Sequence, residues 1–405
     1  KSVKMNSESS VKALLTLSHK SFAQSNQFPR LFESYEEVVE QRKFLQPAWG
    51  IKIRNPEGLK AKIRAMKEDG VKKLMVVSDF DRTLSKNFYP HTLNQMRKER
   101  LKLEEEEKCE GPLHTGDFSF SVVKKWGGLN KEDQEASTAL YDKYRAIEID
   151  YSLPEDVRMA HMVDWWHGTL KIFTAHRFKI QEFDQMLHRG RVALRCGVLD
   201  ILRLSKDKGM PFIVISGGLK VVIDLIFFHI INQIEQDFKE GEQLISAMKG
   251  AGESAAKKEE QIQAIFDLYS TAVVSNKLTF EEVREESSED GPPQLTAVDY
   301  DRNVLHCMNK SIFVHDYVRK ELKHHIRDNV ILMGDIMEDS EMASDEDHKC
   351  VIRVGFLNDL KQHGNQIDKF MDTFDIVVTE DGPFLPINFI LMHIEGATPD
   401  QIEEQ

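Results

Sequence analysis

Residues 74–83 read LMVVSDFDRT, an apolar run followed at once by two carboxylates. The run Leu74 to Val77 is too short for a buried helix and suits a strand that is covered on both faces. Asp79 and Asp81, one residue apart where the strand ends, can both face a crevice once the chain begins to turn. A carboxylate can attack phosphorus and form an aspartyl-phosphate that water later cleaves, which predicts Asp79 as a covalent nucleophile. Asp81 is then placed to protonate the leaving alcohol and to deprotonate the attacking water.

The alternation of apolar runs with other patterns continues along the chain. Further short apolar runs, each bounded by turn or polar residues, follow at Phe212 to Ile215, Thr271 to Val274, Val330 to Met333, Val351 to Phe356 and Ile376 to Val378. Helix-patterned segments lie between most of them, at Val198 to Lys208, Leu219 to Gln236 and Val318 to His325. Strands that alternate with helices predict a doubly wound, Rossmann-like α/β sheet.

The interval from residue 85 to residue 191 breaks this alternation, because it is long, charged and helix-patterned. Its Trp165 and Trp166 are candidates for core packing or for stacking on a base. Ligands of an α/β sheet bind outside the carboxyl ends of the strands, so an insertion that leaves the first strand lies above the site. The expected division is an N-terminal extension over 1–45, an α/β core over 46–85 and 192–405, and a helical cap domain over 86–191.

A second polar group follows the next apolar run, at Ser216, Gly217 and Gly218. A hydroxyl and backbone amides freed by glycine form a corner that can bind an anion such as a phosphoryl group. Downstream, Lys310 offers a compact positive charge that can stabilise phosphoryl oxygens and keep the nucleophile ionised. Each of these signals is weak alone, since Ser-Gly-Gly turns and surface lysines are common.

The last polar group is GDIMED, residues 334–339, which follows another apolar run and contributes Asp335 and Asp339. Mg²⁺ prefers oxygen ligands in octahedral geometry and keeps several waters. Asp79 and Asp335, from separate strand ends, together with a substrate oxygen would suit it. The expected cofactor is Mg²⁺, and its expected ligands are Asp79, Asp81, Asp335 and Asp339.

In chain order the four groups read Asp-x-Asp-x-Thr, Ser-Gly, Lys and Gly-Asp-x-x-x-Asp, and three of them end predicted strands. This series resembles the haloacid dehalogenase superfamily, whose members place these motifs at adjacent strand ends. The resemblance implies a phosphatase that works through an aspartyl-phosphate, with Asp79, Asp81 and Lys310 as the catalytic residues.

Longer stretches resemble one family of that superfamily, the type III cytosolic (pyrimidine) 5′-nucleotidases. They are SDFDRTLS at 78–85, YRAIEID at 144–150, MVDWW at 162–166, NK at 309–310, VGFLND at 354–359 and MDTFDIVV at 371–378. The resemblance spans residues 55–395, with apparent insertions near 90–135 and 233–265. One departure is Ser216-Gly217-Gly218, where the family usually has Ser-Ala-Gly.

The resemblance implies hydrolysis of a nucleoside 5′-monophosphate to nucleoside and phosphate. The expected substrate is a pyrimidine nucleotide such as CMP or UMP, or 7-methylguanosine monophosphate. Glu148 and Thr169 match positions near the nucleoside in the family, and a carboxylate such as Glu148 can accept hydrogen bonds from an amine or a sugar hydroxyl. The full set of expected substrate-binding residues is Glu148, Thr169, Trp165, Ser216, Gly217 and Lys310.

Composition argues against several other classes of protein. The 54 basic and 67 acidic residues give a net charge of −13, which opposes long-range attraction to nucleic acid or anionic membrane. The most apolar stretch, Val221 to Ile231, contains Asp224 and has about half the length that crosses a bilayer. The 4 cysteines are dispersed and match neither a disulfide framework nor a metal-ligand spacing. We expect a cytoplasmic monomer that binds a small nucleotide and neither nucleic acid nor membrane.

Two alternatives stay open at this point. A cap reshaped by its insertions would suit a phosphatase for another small phosphate ester, which a substrate panel would separate from a nucleotidase. The other alternative is a binding module whose catalytic machinery is vestigial, although the motif residues Asp79, Asp81, Ser216, Lys310, Asp335 and Asp339 are all present.

Overall fold

The computed structural model describes residues 50–89, 94–95, 97–98, 101, 114–148, 150, 152–237, 271–284, 294–318, 320 and 327–396. The expected N-terminal extension over 1–45 lies outside these residues, as does most of the apparent insertion near 233–265.

The described part of the chain contains eleven strands, six of which form the parallel part of one sheet. In chain order the strands are β1 (Ile51–Lys52), β2 (Leu74–Ser78), β3 (Phe88–Tyr89), β4 (His114–Thr115), β5 (Phe212–Leu219), β6 (Thr271–Asn276), β7 (Leu278–Val283), β8 (Gln294–Tyr300), β9 (Asn329–Gly334), β10 (Cys350–Leu357) and β11 (Ile376–Thr379). The main sheet has the order β1-β11-β10-β9-β2-β5-β6, with β1 antiparallel at one edge. All six strands predicted from apolar runs are present, and the prediction of a Rossmann-like α/β core is confirmed.

The helices over the described residues are α1 (Pro56–Asp69), α2 (Ser121–Trp126), α3 (Lys131–Glu148), α4 (Glu155–His176), α5 (Ile180–Arg189), α6 (Val198–Lys208), α7 (Lys220–Asp237), α8 (Lys310–Tyr317), α9 (Leu360–His363), α10 (Ile367–Thr373) and α11 (Leu385–Glu395). α6 and α7 confirm two predicted helices. The helix predicted over Val318 to His325 stays untested, and α8 lies just before it, beginning at Lys310. Most of residues 319–326 lie outside the described part of the chain.

Both faces of the main sheet are buried, as the apolar runs predict. Along β2, Leu74 and Val76 pack into one hydrophobic cluster, whereas Met75 and Val77 pack into a second cluster on the opposite face. The four side chains have no solvent exposure. This division follows from the two-residue period of a strand, and it explains why the run is apolar throughout instead of alternating.

The parallel register brings the polar groups of the sequence to one edge of the sheet. Ser78 at the end of β2 lies beside Met333 of β9 and beside Val214 of β5. The backbone N–H of Asp79 donates to the carbonyl of Met333 at 3.0 Å. The residues at the carboxyl ends of β2, β5 and β9 therefore meet at this edge of the sheet, where ligands of α/β sheets bind.

The chain between β2 and β5 carries the helices α2 to α5 and a short β3–β4 hairpin. α4 buries Met162, Leu170 and Phe173, which places its apolar side against the rest of the protein. The helical character of this interval agrees with the sequence, and its boundaries as a separate domain stay a prediction.

A second hairpin, formed by β7 and β8, was not expected from the sequence. It contacts the helical insertion: the N–H of Ala297 donates to the carbonyl of Phe178 at 2.8 Å, and the rings of Tyr300 and His167 lie 5.7 Å apart. The hairpin thus links the core segment after β6 to α4.

Among the described helices, none combines the length and the apolar character that a membrane span needs.

Candidate active site

The centre of the site is the side chain of Lys310, the first residue of α8. Its Nζ donates to Oδ1 of Asp79 at 2.6 Å and to Oδ1 of Asp339 at 2.7 Å. The three side chains are at most 6% exposed. Residues that follow β2 and β9 and a residue that opens α8 therefore converge on one buried ion cluster.

Burial and charge act in opposite directions on these groups. Burial raises the pKa of Asp79 well above its usual range, and Asp339 and Asp335 add to this, whereas Lys310 opposes it. Burial alone would lower the pKa of Lys310, but Asp339 and Asp79 outweigh it and raise that pKa. Lys310 is therefore an ammonium ion at neutral pH, and it favours the ionised form of Asp79.

The turn after β9 is shaped around Asp339, whose side chain has no exposed surface. Oδ2 of Asp339 accepts from the backbone N–H groups of Asp335 at 3.0 Å and Ile336 at 3.2 Å. A side chain at Gly334 would place a Cβ only 2.1 Å from the Cβ of Asp339, so glycine is required for this close approach. Asp339 thus fixes the turn that presents Asp335.

Three carboxylates of the site suit a hard divalent cation. Oxygen atoms of Asp79, Asp335 and Asp339 lie within 4.8 Å of one another. Together with the Lys310 ammonium they leave an excess of negative charge in a largely buried site, which a bound cation would balance. Within the described part of the chain, no residue donates a hydrogen bond to the carboxylate of Asp335. This all-oxygen donor set fits Mg²⁺ in preference to softer metals.

Asp335 keeps some contact with solvent, yet the surrounding protein still affects its ionisation. Desolvation, followed in size by the charge of Asp339, raises the pKa of Asp335 to about 7. A proton and a cation would therefore compete for this carboxylate near neutral pH.

Asp81 is held differently from the other acidic residues. Its Oδ1 accepts from the backbone N–H of Ser119 at 2.7 Å, and its Oδ2 accepts from the hydroxyl of Ser119 at 2.6 Å. Burial raises the pKa of Asp81, and these two hydrogen bonds oppose the rise. The three-carboxylate group does not include Asp81, so its expected role as a metal ligand stays a prediction.

The Ser-Gly-Gly group lies within β5 and not beyond its end, because this strand continues to Leu219. The N–H of Gly218 donates to Oγ of the buried Ser216 at 3.0 Å. The side chain of Asn276 donates to the carbonyls of Gly217 at 2.7 Å and Leu305 at 2.8 Å. Asn276 therefore ties the expected phosphate corner to the loop that leads to Lys310.

That loop is held by its own side chains. Oδ1 of Asn309 accepts from the N–H of His306 at 2.8 Å, and Nδ2 of Asn309 donates to the carbonyl of Val304 at 3.1 Å. Burial lowers the pKa of His306 to about 4, so this residue is neutral at physiological pH. The loop fixes the start of α8 and with it the Lys310 ammonium.

Glu148, at the end of α3, reaches the same loop from the helical insertion. Its Oε2 pairs with the guanidinium of Arg145, one turn earlier on α3. Its Oε1 accepts from Sγ of Cys307 at 3.3 Å, and Cys307 lies three residues before Lys310. Burial, together with Glu148, raises the pKa of Cys307, so the thiol is the donor in this contact. The structure therefore brings Glu148 close to the loop that carries Lys310.

The other two expected substrate residues lie on α4. Trp165 packs between two rings of α3, with centroid distances of 5.8 Å to Tyr141 and 6.2 Å to Tyr144. Thr169 is buried one turn later on the same face of α4. Among the described residues, neither contacts the Lys310 cluster directly, so the structure does not join these two to the site as it does Glu148.

Several residues that support the site lie outside the sequence motifs. Arg195, whose side chain is wholly buried, donates to the carbonyls of Arg82 and Thr83 at 2.6 Å and pairs with Asp381 at 3.1 Å. Arg82 itself has a positive φ of 64°, an unusual conformation for an arginine, within the Asp-x-Asp-x-Thr turn that follows β2. Arg195, Asn276 and Ser119 give no local sequence signal, because their partners lie far away in the chain.

Comparison with known proteins identifies the family to which this sequence is similar. The sequence model described as Pyrimidine 5′-nucleotidase (UMPH-1) matches residues 109–240 and 259–395, which is more than half of the chain. The matched residues include Glu148, Ser216, Lys310 and Asp335, whereas the Asp79 motif precedes them.

Related proteins match over most of their length. The chain is 24% identical over 347 residues to the 7-methylguanosine phosphate-specific 5′-nucleotidase A of Xenopus laevis, covering 85% of this chain and 95% of that protein. It is 23% identical over 343 residues to the human 7-methylguanosine phosphate-specific 5′-nucleotidase, covering 84% and 91%. A crystal structure of cytosolic 5′-nucleotidase IIIB bound to cytidine aligns with a TM-score of 0.57 at 22% identity, covering 88% of this chain and 95% of that one. This last likeness shows a shared fold.

Proposed function

We propose that this chain, which belongs to the pyrimidine 5′-nucleotidase (UMPH-1) family, hydrolyses nucleoside 5′-monophosphates. The proposed reaction requires Mg²⁺ and passes through an aspartyl-phosphate on Asp79. Membership of this family makes the chain a phosphoric monoester hydrolase. The observation that carries the proposal is the convergence of Asp79, Lys310, Asp335 and Asp339 on one buried cluster.

In the first half-reaction, a carboxylate oxygen of Asp79 attacks phosphorus and the bond from phosphorus to the 5′-oxygen breaks. Asp81 donates a proton to that departing oxygen, so that the nucleoside leaves as an alcohol. Lys310 neutralises charge on the phosphoryl oxygens as it develops. The amide of Gly217 and the hydroxyl of Ser216 are suited to bind the same oxygens.

In the second half-reaction, water attacks phosphorus and the bond to the Asp79 oxygen breaks. Asp81, now ionised, accepts a proton from this water, which returns both aspartates to their starting state and releases phosphate. Asp79, Asp81, Asp335 and Asp339 would hold Mg²⁺ at this site. When bound, Mg²⁺ supplies positive charge that offsets the phosphate and helps to orient it.

The nucleoside is assigned to the helical insertion, taken as the cap over residues 86–191. The contact of Glu148 with Cys307 supports this, since it brings a carboxylate of α3 within three residues of Lys310. Thr169 and Trp165 are the further proposed contacts. The family name favours pyrimidine nucleotides such as CMP and UMP, whereas the related enzymes are named for 7-methylguanosine phosphate. A cytoplasmic location fits the relatives that are named cytosolic 5′-nucleotidases.

The test is phosphate release from a panel of nucleoside 5′-monophosphates, with 3′-monophosphates and simple esters beside them. Each reaction is run with Mg²⁺ and with excess chelator, and with the Asp79→Asn protein as the blank. We expect metal-dependent release from CMP, UMP or 7-methylguanosine monophosphate. Phosphate release from simple esters alone would support a general phosphatase and contradict the nucleotidase proposal.

A further inference from the structure

Ser119 lies in the segment that joins β4 to α2, outside every motif of the sequence. Its backbone N–H and its hydroxyl donate to the two different oxygens of the Asp81 carboxylate, at 2.7 Å and 2.6 Å. Ser119 has no exposed surface. Two buried donors from one residue therefore fix both oxygens of the proposed acid and base.

The position of Ser119 is itself constrained on two sides. A side chain at Gly218 would put a Cβ only 1.7 Å from Oγ of Ser119, so the glycine of β5 leaves room for this hydroxyl. On the other side, the guanidinium of Arg82 lies 4.4 Å from the centre of the Phe118 ring. Adjacent residues of one segment thus contact adjacent residues of the nucleophile motif.

The same segment is anchored to the helical insertion. The ring of Phe118 stacks on that of Phe120 at 5.7 Å, and Phe120 meets Trp166 of α4 edge to face, also at 5.7 Å. The N–H of Phe118 donates to Oγ of Ser121 at 2.8 Å. Because these contacts hold the segment without help from Asp81, the donors of Ser119 are already in place before a substrate arrives.

We propose that Ser119 is a positioning residue for Asp81, holding its carboxylate in the orientation that proton transfer to the leaving oxygen needs. This inference rests on the proposed role of Asp81 as acid and base. The hydroxyl can donate to Oδ2 of Asp81 when the carboxyl is ionised and also when it carries the proton for the leaving oxygen, because a protonated carboxyl oxygen keeps a lone pair. The backbone N–H of Ser119 donates to the other oxygen, Oδ1, which needs no proton in either half-reaction, so the two donors can hold Asp81 throughout.

The experiment compares Ser119→Ala with a matched control, Ser121→Ala. The hydroxyl of Ser121 bonds to the backbone of Phe118, in the same segment, and not to Asp81. Both variants and the wild type are assayed for kcat/KM on phenyl phosphate, p-nitrophenyl phosphate and CMP. The two aryl esters lack a nucleoside and differ in how much their leaving groups need a proton.

We expect Ser119→Ala to lower kcat/KM for phenyl phosphate by about tenfold or more and that for p-nitrophenyl phosphate by less than about threefold, since acid catalysis matters less for a better leaving group. Ser121→Ala should lower both equally or neither. Equal losses for the two esters in Ser119→Ala, or no loss, would overturn the proposal.

A second measurement keeps the test sharp if Ser119→Ala also loses stability. In an Asp81→Asn background, Ser119→Ala should cost little further activity on phenyl phosphate, because the group that it positions is already lost. Losses that multiply would overturn the proposal. If the wild type hydrolyses the aryl esters but not CMP, the nucleotidase proposal fails while the comparison at Ser119 still gives its answer.

Discussion

The proposed phosphate side of the site, around Lys310, and its proposed nucleoside side, around Glu148, are held by different physical means. On the phosphate side, Lys310 meets Asp79 and Asp339 with side chains that are at most 6% exposed. On the nucleoside side, Glu148 pairs with Arg145, and these side chains are 21% and 48% exposed. Both are ion pairs, but water reaches only the second freely.

This difference predicts how each side responds to mutation. A charge interaction is strong where water is excluded and weak where water screens it. Removing one member of the buried cluster leaves an uncompensated charge next to the reacting atoms, whereas removing one member of the exposed pair changes a local charge balance. Large losses are therefore expected on the phosphate side, and selective, smaller ones on the nucleoside side.

The largest effect is expected for Asp79→Asn. The amide cannot attack phosphorus, so turnover of every phosphate ester should fall by more than about a thousandfold, on the scale of roughly 4 kcal/mol. Phosphate release measures the loss, and thermal unfolding checks that the variant is folded. If Asp79→Asn kept more than about a tenth of the wild-type rate, covalent catalysis by this residue would be excluded.

Asp335→Ala should act through the metal requirement. We expect the Mg²⁺ concentration for half-maximal activity to rise at least about tenfold, because removing a residue around a metal site commonly weakens metal binding by this much.

The wild-type enzyme should show a pH-dependent Mg²⁺ requirement. Because the wild-type pKa of Asp335 is raised to about 7, this carboxyl is protonated at lower pH and must lose its proton to bind a cation. Half-saturating Mg²⁺ should therefore rise as the pH falls below 7, by up to about tenfold per pH unit. A requirement that is the same at pH 6 and pH 8, or full activity with chelator, would contradict the assignment.

Glu148→Ala should separate the two sides of the site. Asp79, Asp81 and Lys310 are proposed to act on the phosphoryl group that all substrates share, whereas Glu148 is proposed to touch only the nucleoside. Loss of a charged hydrogen-bond partner should lower kcat/KM for nucleotides by roughly ten- to a hundredfold. The value for p-nitrophenyl phosphate should hardly change. Equal losses on both substrates would instead give Glu148 a structural role, for which its contact with Cys307 is the obvious route.

The smallest effect is expected for Arg145→Gln. Arg145 offsets the charge of Glu148, and 7-methylguanine carries a positive charge that the bases of CMP and UMP lack. The ratio of kcat/KM for 7-methylguanosine monophosphate to that for CMP should rise by about two- to fivefold, the scale of an exposed ion pair. Lys143→Gln is the matched control, since Lys143 lies on the same helix and contacts Tyr144. A ratio that is unchanged, or that moves equally in both variants, would show that Arg145 does not tune the base site.

The sequence predicted the main sheet well because its central parallel strands are buried on both faces and so read as continuous apolar runs. It did not predict the β7–β8 hairpin, whose first strand reads LTFEEV and carries the exposed residues Glu281 and Glu282. Such a strand has one solvent-exposed face and is stabilised by its partner strand and by the helical insertion. Nor did the apolar pattern show that α8 begins at Lys310, because this helix buries a charge at its first turn.

The order of Asp79, Ser216, Lys310 and Asp335 along the chain was enough to predict the reaction type. Three of these residues lie at the carboxyl ends of parallel strands, which must meet at one edge of the sheet. The contacts that tune these residues come from the tertiary structure. Ser119 lies 38 positions from Asp81, and Cys307 lies 159 positions from Glu148. Local sequence propensity cannot predict contacts between residues so far apart in the chain, since these pairs meet only after the helical insertion has packed against the sheet. The sequence therefore determined which groups are candidates for the chemistry, and packing alone decided which neighbours hold them in place.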